Sequence, residues 1–136
     1  MSVRKLGQAA FAFVGAAMLV MSGTSAASAA VRDGNCQANE FCYYWYIDAT
    51  ESASDFTGTV QNYGTTQPTC YDFKGPGLGK GECIKNNAMS VWNRTSRTVR
   101  VYYNSYLEGS YQDIGAGYKG NLNSTLTNNN ASHEFR

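Results

Sequence analysis

The sequence predicts an all-β protein, and three observations carry that reading. Val99, Val101 and Tyr103 alternate with Arg100 and Tyr102, the period of two expected of a half-buried strand. No segment beyond residue 29 keeps an apolar period of 3.6 residues through three turns. Breaks rich in glycine and asparagine, such as Gly115-Ala116-Gly117 and the run KGPGLGKG from Lys74 to Gly81, fall where short antiparallel strands should end.

Residues 1–29 read as a secretory signal peptide. Arg4 and Lys5 form a basic start, and Ala9 to Met21 is an apolar run too short for a membrane span. Ala27-Ser28-Ala29 supplies the small residues a signal peptidase requires, with cleavage expected after Ala29 and the bond after Ala30 as the second choice. A secreted, extracellular protein of one domain, 30–136, is therefore expected. Cleavage leaves nine basic and ten acidic residues, a formal −1. That balance gives no long-range attraction to nucleic acid or to an anionic membrane surface, and neither is expected as a partner. Arg94, Arg97 and Arg100, the one basic cluster, fit a solvated turn and strand face.

Glu40 to Ile47, EFCYYWYI, is rich in aromatic and β-branched residues and predicts a strand buried on both faces or nearly so. Asp48 to Asp55 reads as a flexible polar connection. Phe56–Gln61 is the next expected strand, Asn62–Gln67 a turn and Thr69–Phe73 a third short strand. Lys74–Gly81 reads as an exposed loop, and Ala88–Trp92 as the fourth strand. Asn93–Arg97 turns into the strand Thr98–Tyr103. Asn104–Gly109 folds the chain back into Ser110–Ile114, and Gly120-Asn121 opens the next connection. A faint internal repeat runs through this order: a shift of 43 residues lays Lys85–Trp92 over Asn128–Phe135. Two four-strand units of this kind can pack face to face as a sandwich, closing a core that neither closes alone.

The exported context favours disulfides for Cys36, Cys42, Cys70 and Cys83. Of the three pairings, the local pair Cys36–Cys42 and Cys70–Cys83 is expected, each closing a short loop beside a strand. Spacing alone leaves the crossed pairings open. A zinc site is disfavoured because neither spacing contains a CxxC knuckle. For catalysis the sequence offers little. It holds one histidine, His133, read as a surface or strand-end residue, and it lacks HExxH, GxSxG and P-loop motifs. No enzyme activity is expected. The sequons at Asn93, Asn123 and Asn130 are read as products of turn composition.

The motifs FCYYWY, SVWNRT, VRVYYN, QDIGAGYKGNLN and NNNASHEF, taken together, resemble peptidase inhibitor family I36, known from Streptomyces. The resemblance covers the whole of 30–136 and is densest from Ser90 to Phe135. It implies a βγ-crystallin-like sandwich of two Greek-key motifs, here disulfide-stabilised. It also implies a monomeric inhibitor whose partner is a secreted peptidase, a metallopeptidase by analogy with the family's founding members, held by tight non-covalent binding. The alternative is a non-inhibitory βγ-crystallin-like extracellular module that is weakly calcium-binding or associated with the cell envelope. In such domains an aromatic commonly precedes the hairpin glycine by two residues. Phe56 with Gly58 fits that pattern, whereas Leu107 stands before Gly109.

Many βγ-crystallin domains bind calcium through the motif N/D-N/D-x-x-S/T-S. By the repeat above, Asn128, Asn129 and Ser132 are the candidate ligands of the second copy, and Lys85 and Met89 spoil the first. No cofactor is expected beyond weak calcium at those neutral side chains. The competing reading has Asn and Ser satisfying turn backbone. For protease binding, the candidate segment is the loop Tyr71–Glu82 inside the expected Cys70–Cys83 bridge, with Tyr71, Phe73, Leu78 and Lys80 as side chains for subsites. A disulfide at the base and Pro76 stiffen it, and its glycines argue for a loose loop.

Overall fold

The computed structural model describes residues 31–136. The expected signal peptide, 1–29, lies outside the described residues. Seven strands form in order: β1 (Phe41–Tyr44), β2 (Ala53–Phe56), β3 (Ser90–Asn93), β4 (Val99–Asn104), β5 (Glu108–Ile114), β6 (Lys119–Asn121) and β7 (Ser132–Phe135). One 3-10 turn, Ile47–Ala49, lies between β1 and β2.

The strands build two antiparallel sheets, β2-β1-β3-β6 and β5-β4-β7. Each half of the chain lends its third segment to the sheet of the other. In the second half this is β6, which pairs with β3. In the first half it is reduced to one bridge, Val60 against His133 of β7. Neither half can therefore close its own sheet, which is the topology of two interlocked Greek keys. Phe41, Tyr43, Phe56 and Val91 of one sheet meet Val99, Val101 and Ile114 of the other, and Tyr63, Phe73, Ile84, Leu122 and Leu126 fill the space from the connections.

Several sequence expectations shift once the strands are in place. β1 is buried on both faces, as its composition implies, but it ends at Tyr44, and Tyr46 and Ile47 are exposed. The strand expected at Phe56–Gln61 is instead β2, four residues wholly buried, which lies in the stretch read as flexible. Its polar side chains escaped a pattern search because their partners are loop backbone. Ser54 Oγ donates to Asp72 O at 2.7 Å, and Ser52 Oγ, just before the strand, donates to Gly75 O at 2.6 Å. Thr69–Phe73 forms no strand, only the bridge Asp72–Cys83. β4 alternates as expected through Val101. A register shift between Tyr102 and Asn104 then turns Tyr103 to solvent and leaves Tyr102 buried.

The internal repeat is real, but its offset from Ser90 to Ser132 is 42 residues, one less than the sequence suggested. These two buried serines do the same work. Ser90 Oγ donates to Tyr46 O (2.5 Å) and accepts Ala49 N (2.8 Å). Ser132 Oγ donates to Asn104 O (2.6 Å) and accepts Leu107 N (3.1 Å). Each serine pins the folded hairpin of its own half. The hairpins match in backbone as well, with positive φ at Asp48, Ala49 and Glu51 and again at Tyr106, Leu107 and Gly109. The first hairpin corner thus lies at Asp48–Glu51 and not at Phe56–Gly58.

His133 is not a surface residue but wholly buried. Its Nε2 faces Gly58 O at 2.9 Å, and a carbonyl only accepts, so Nε2 carries the proton. Nδ1 is then an acceptor, taking the hydroxyl proton of Tyr63 at 2.7 Å, and Tyr43 donates to Tyr63 through a short contact. The chain runs Tyr43, Tyr63, His133, Gly58 in one sense. Burial pushes the imidazole down to about 4, with the positive field of Arg32 adding to it against the hydrogen bond to Gly58. The same burial raises both tyrosines above their ordinary range.

Two predictions follow from these contacts. Ser90→Ala or Ser132→Ala leaves a part-buried N–H and C=O without their partner and should cost about 1–3 kcal/mol in urea unfolding at pH 7. A loss within error for both would mean that the hairpins hold without the pins. For pH, the folded His133 binds its proton less readily than the unfolded chain does. Its contribution is whole above pH ~6.5, is lost as pH falls towards ~4, and amounts to about 3 kcal/mol. Unfolding free energies at pH 7.5 and 4 should differ by that much more in the parent protein than in His133→Gln.

Candidate functional site

The disulfides join Cys36 to Cys42 and Cys70 to Cys83. The second closes the base of the loop that carries the candidate protease-binding side chains. The structure divides those four residues. Phe73 is buried at 1% exposure, stacked edge-on against Trp45, and belongs to the core. It is therefore not available for contact with a peptidase, because the stem of the loop turns its side chain into the core. Tyr71 is partly exposed, but its ring packs on Phe56 and against the Arg32 guanidinium. Leu78 and Lys80 face solvent, Leu78 at 68% exposure, the highest of the large apolar residues among those described.

The loop is not loose. Leu78 N donates to Glu51 Oε1 at 2.8 Å, and Ser52 N donates to Leu78 O at 3.1 Å, so the most exposed side chain sits on a backbone fixed from both sides. Gly81 N and Phe73 O, and Phe73 N and Glu82 O, close its stem. Gly79 has φ +88, and a Cβ there would lie 2.2 Å from the Trp45 ring. Glycine here permits close approach to an aromatic face, and hydrogen bonds then remove the freedom it brings. Trp45 and Glu51 of the first hairpin hold Gly79 and Leu78, and the same hairpin exposes Tyr46 and Ile47. Sequence reasoning missed the two hairpin residues because they were assigned to the buried strand. It also missed Glu51, whose signal exists only in three dimensions.

The remaining candidates fall apart differently. Asn128 has φ +56, Asn129 Nδ2 donates to Thr127 O, and Ser132 is fully buried with its Oγ occupied by the second hairpin. At an offset of 42, Ala131 and not Ser132 matches Met89, so Ser132 is a structural pin rather than a cation ligand. Asn130 is buried too, donating to Ala88 O and Leu126 O. Arg94 stacks on Trp92, Arg97 donates to Phe135 O and Arg136 O, and Arg100 forms a bidentate pair with Asp113, so the three arginines are engaged within their own fold. Among the described residues the one histidine has both ring nitrogens hydrogen-bonded in the core, which removes it from contact with a substrate.

Two interlocked Greek keys with folded hairpins pinned by serine define a βγ-crystallin-type domain. The solved structures agree. The chain is similar to a structure described under the evolution of the eye lens βγ-crystallin domain fold (TM-score 0.58, 11% identity, 75% of this chain and 90% of that one). It is also similar to an archaeal βγ-crystallin (0.52, 19%, 74% and 100%) and to the N-terminal domain of protein S (0.51, 18%, 71% and 94%). At these identities the likeness is one of fold. The sequence narrows it: residues 29–114 match peptidase inhibitor family I36, and the chain belongs to that family. No curated protein matches the chain. The family match spans β1 to β5 and the whole candidate loop. It ends before β6, short of the stretch to Phe135 where the motif resemblance was densest.

Gly79→Ala and Gly81→Ala test the loop's rigidity. Both residues have positive φ, but nothing lies within 4 Å of a Cβ at Gly81. Gly81→Ala should cost about 1–2 kcal/mol from backbone strain alone. Gly79→Ala should cost at least about 2 kcal/mol more, since the Trp45 ring must move. It should also quicken limited proteolysis within 74–82, and equal effects for the two would refute the packing argument.

Proposed function

We propose that the protein is a secreted inhibitor of a metallopeptidase, acting by tight non-covalent binding, and that Leu78 is the side chain it offers to the enzyme's cleft. Membership of family I36 supports the peptidase as partner. The observation that carries the site is the pairing of Leu78's exposure with its immobility. A segment that enters a protease cleft must project an apolar side chain and must lose little freedom on binding. Leu78 does the first, and the bonds from its N–H and C=O to Glu51 and Ser52 do the second. The Cys70–Cys83 bridge would hold the two sides together if a bond in the loop were cut. Exposed Lys80, two residues on in the same loop, extends the surface beyond one residue. A medium-sized apolar residue suits the apolar primary pocket of thermolysin-type enzymes better than the acidic pocket of trypsin-type ones.

Titration against thermolysin-type, subtilisin-type and trypsin-type peptidases tests this directly. The thermolysin-type enzyme should be inhibited with one-to-one stoichiometry. The double variant Leu78→Ala/Lys80→Ala should keep its melting temperature, as surface loop changes move stability by about 0.5 kcal/mol or less. It should raise the inhibition constant at least tenfold, equivalent to about 1.4 kcal/mol of binding. Unchanged inhibition in the folded double variant would move the contact elsewhere, and no inhibition by the parent protein would retire the function.

A further inference from the structure

We propose that Asp33, Glu40 and Asp55 form a binding site for a divalent cation that prefers hard oxygen ligands, calcium first, where the chain enters β1. Each of the three offers a carboxylate oxygen within 4.8 Å of the others. Asp55 and Glu40 are buried at 0% and 1% exposure, and Asp33 is half-buried. Glu40 Oε2 is enclosed without any hydrogen-bond partner, and so is Oε1 of nearby Gln37. Native structures rarely leave such atoms unanswered.

The other oxygens are held in place by donors that still leave lone pairs free. Glu40 Oε1 accepts Gln37 N at 2.8 Å. Asp55 Oδ1 and Oδ2 accept Gly34 N at 2.7 Å and Asp33 N at 3.1 Å. Asp33 Oδ1 accepts Asn35 N at 2.9 Å. The Cys36–Cys42 bridge closes the segment that bears Gln37 and Glu40, so the groups are set before any ion arrives.

Comparison of the two halves shows what is missing. At the hairpin offset of 58, Asp55 of β2 corresponds to Asp113 of β5. Asp113 faces Arg100 across the strand pair and holds it through two bonds, at 2.7 and 3.0 Å. The residue facing Asp55 is Cys42, committed to a disulfide. Among the described residues, no lysine or arginine nitrogen forms a salt bridge with Asp33, Glu40 or Asp55; the salt bridges run to Asp72, Asp113 and Glu134. Arg32 lies close but gives its N–H groups to Ser54 Oγ and to the carbonyls of Asp55 and Asp72. Arg32 and Arg94 act on Asp55 and Glu40 without pairing with them, and buried carboxylates without a paired counter-charge are costly. A divalent ion supplies that charge and fills the open valence on Glu40. An all-oxygen set of irregular geometry suits calcium better than zinc, and the exposed side of Asp33 gives the ion a way in.

Equilibrium dialysis of the purified protein with calcium chloride at about 5 mM, above the sub-millimolar affinities common in extracellular modules, should find one ion per chain. The same calcium should raise the melting temperature by about 5 °C or more over sodium chloride of equal ionic strength. Glu40→Gln should abolish both effects, and Asp33→Asn, on the half-exposed residue, should weaken binding at least tenfold and serves if Glu40→Gln does not fold. No bound calcium, with Glu40→Gln as stable as the parent, would overturn the proposal in favour of a proton held on Glu40. Binding that survives both variants would place the ion elsewhere and overturn it equally.

Discussion

His133 is the residue on which the joining of the two halves depends. Its backbone makes the two hydrogen bonds with Val60 that carry the first half's third segment onto the second sheet. Its ring reaches the same segment twice, through Gly58 O and Tyr63, and through Tyr63 reaches Tyr43 at the centre of β1. The second half lends a proper strand, β6, to the first sheet, with three paired residues. The first half returns a single bridge. Side-chain hydrogen bonding in a dry interior makes up for the missing ladder, because each bond there is between groups that have no water to turn to. A neutral imidazole suits this place because it donates on one side and accepts on the other.

The backbone repeats between halves while the side chains diverge, and the divergence is concentrated. The stretch from β2 to β3, residues 57–89, has 33 positions, whereas 115–131 between β5 and β7 has 17. The longer stretch contains the Cys70–Cys83 bridge and Leu78. The added chain needs anchorage, and β2 provides it. Ser54 in β2 and Ser52 just before it look like loop residues because they are polar, yet both are buried, with hydroxyls that seize Asp72 O and Gly75 O. Lys74 N and Gly75 N both donate to Ala53 O. Strand β2 therefore reads as a connection because its serine faces a connection, and only Phe56 at its end reaches the apolar layer.

That accounts for what was legible. The β class, the strands β1, β3, β4 and β5, the interlocked repeat and the family were open to reading, because aromatic content, alternation and motif spelling are local signals. β2 was hidden because its partners are loop backbone 18 residues or more away. β6 was hidden because Lys-Gly-Asn reads as a turn and becomes a strand only beside β3. The repeat slipped by one residue because Asn-Asn-Asn offers several equivalent alignments, and the serine pins that fix the offset act over 25 residues or more. His133 resembled a strand end because nothing local announces that Tyr43 and Tyr63, 90 and 70 residues earlier, close over it. Of the binding loop, Leu78 and Lys80 were legible as apolar and charged residues in a glycine-rich run. Phe73 was misplaced because exposure cannot be read from a loop whose stem enters the core.

The glycine-rich loop shows why composition misleads about stiffness. A glycine lowers the barrier to many conformations, but it also allows contacts that a Cβ forbids. A Cβ at Gly75 would sit 2.6 Å from Gly34 O and 3.0 Å from Ala53 N, and one at Gly79 would enter the Trp45 ring. Packing at that range excludes water and brings N–H and C=O groups of the loop onto β2 and the first hairpin. Once those bonds form, few glycine conformations remain open to the folded chain. The entropy of glycine is lost on folding, not on binding, and a partner that grips Leu78 meets a loop already ordered. The two roles of the hairpin follow from this. It is pinned from beneath by Ser90, and through Glu51 and Ser52 it holds the loop above it. The serine that every repeat needs for its own turn is therefore also, in the first half, the footing of the surface proposed to meet the peptidase.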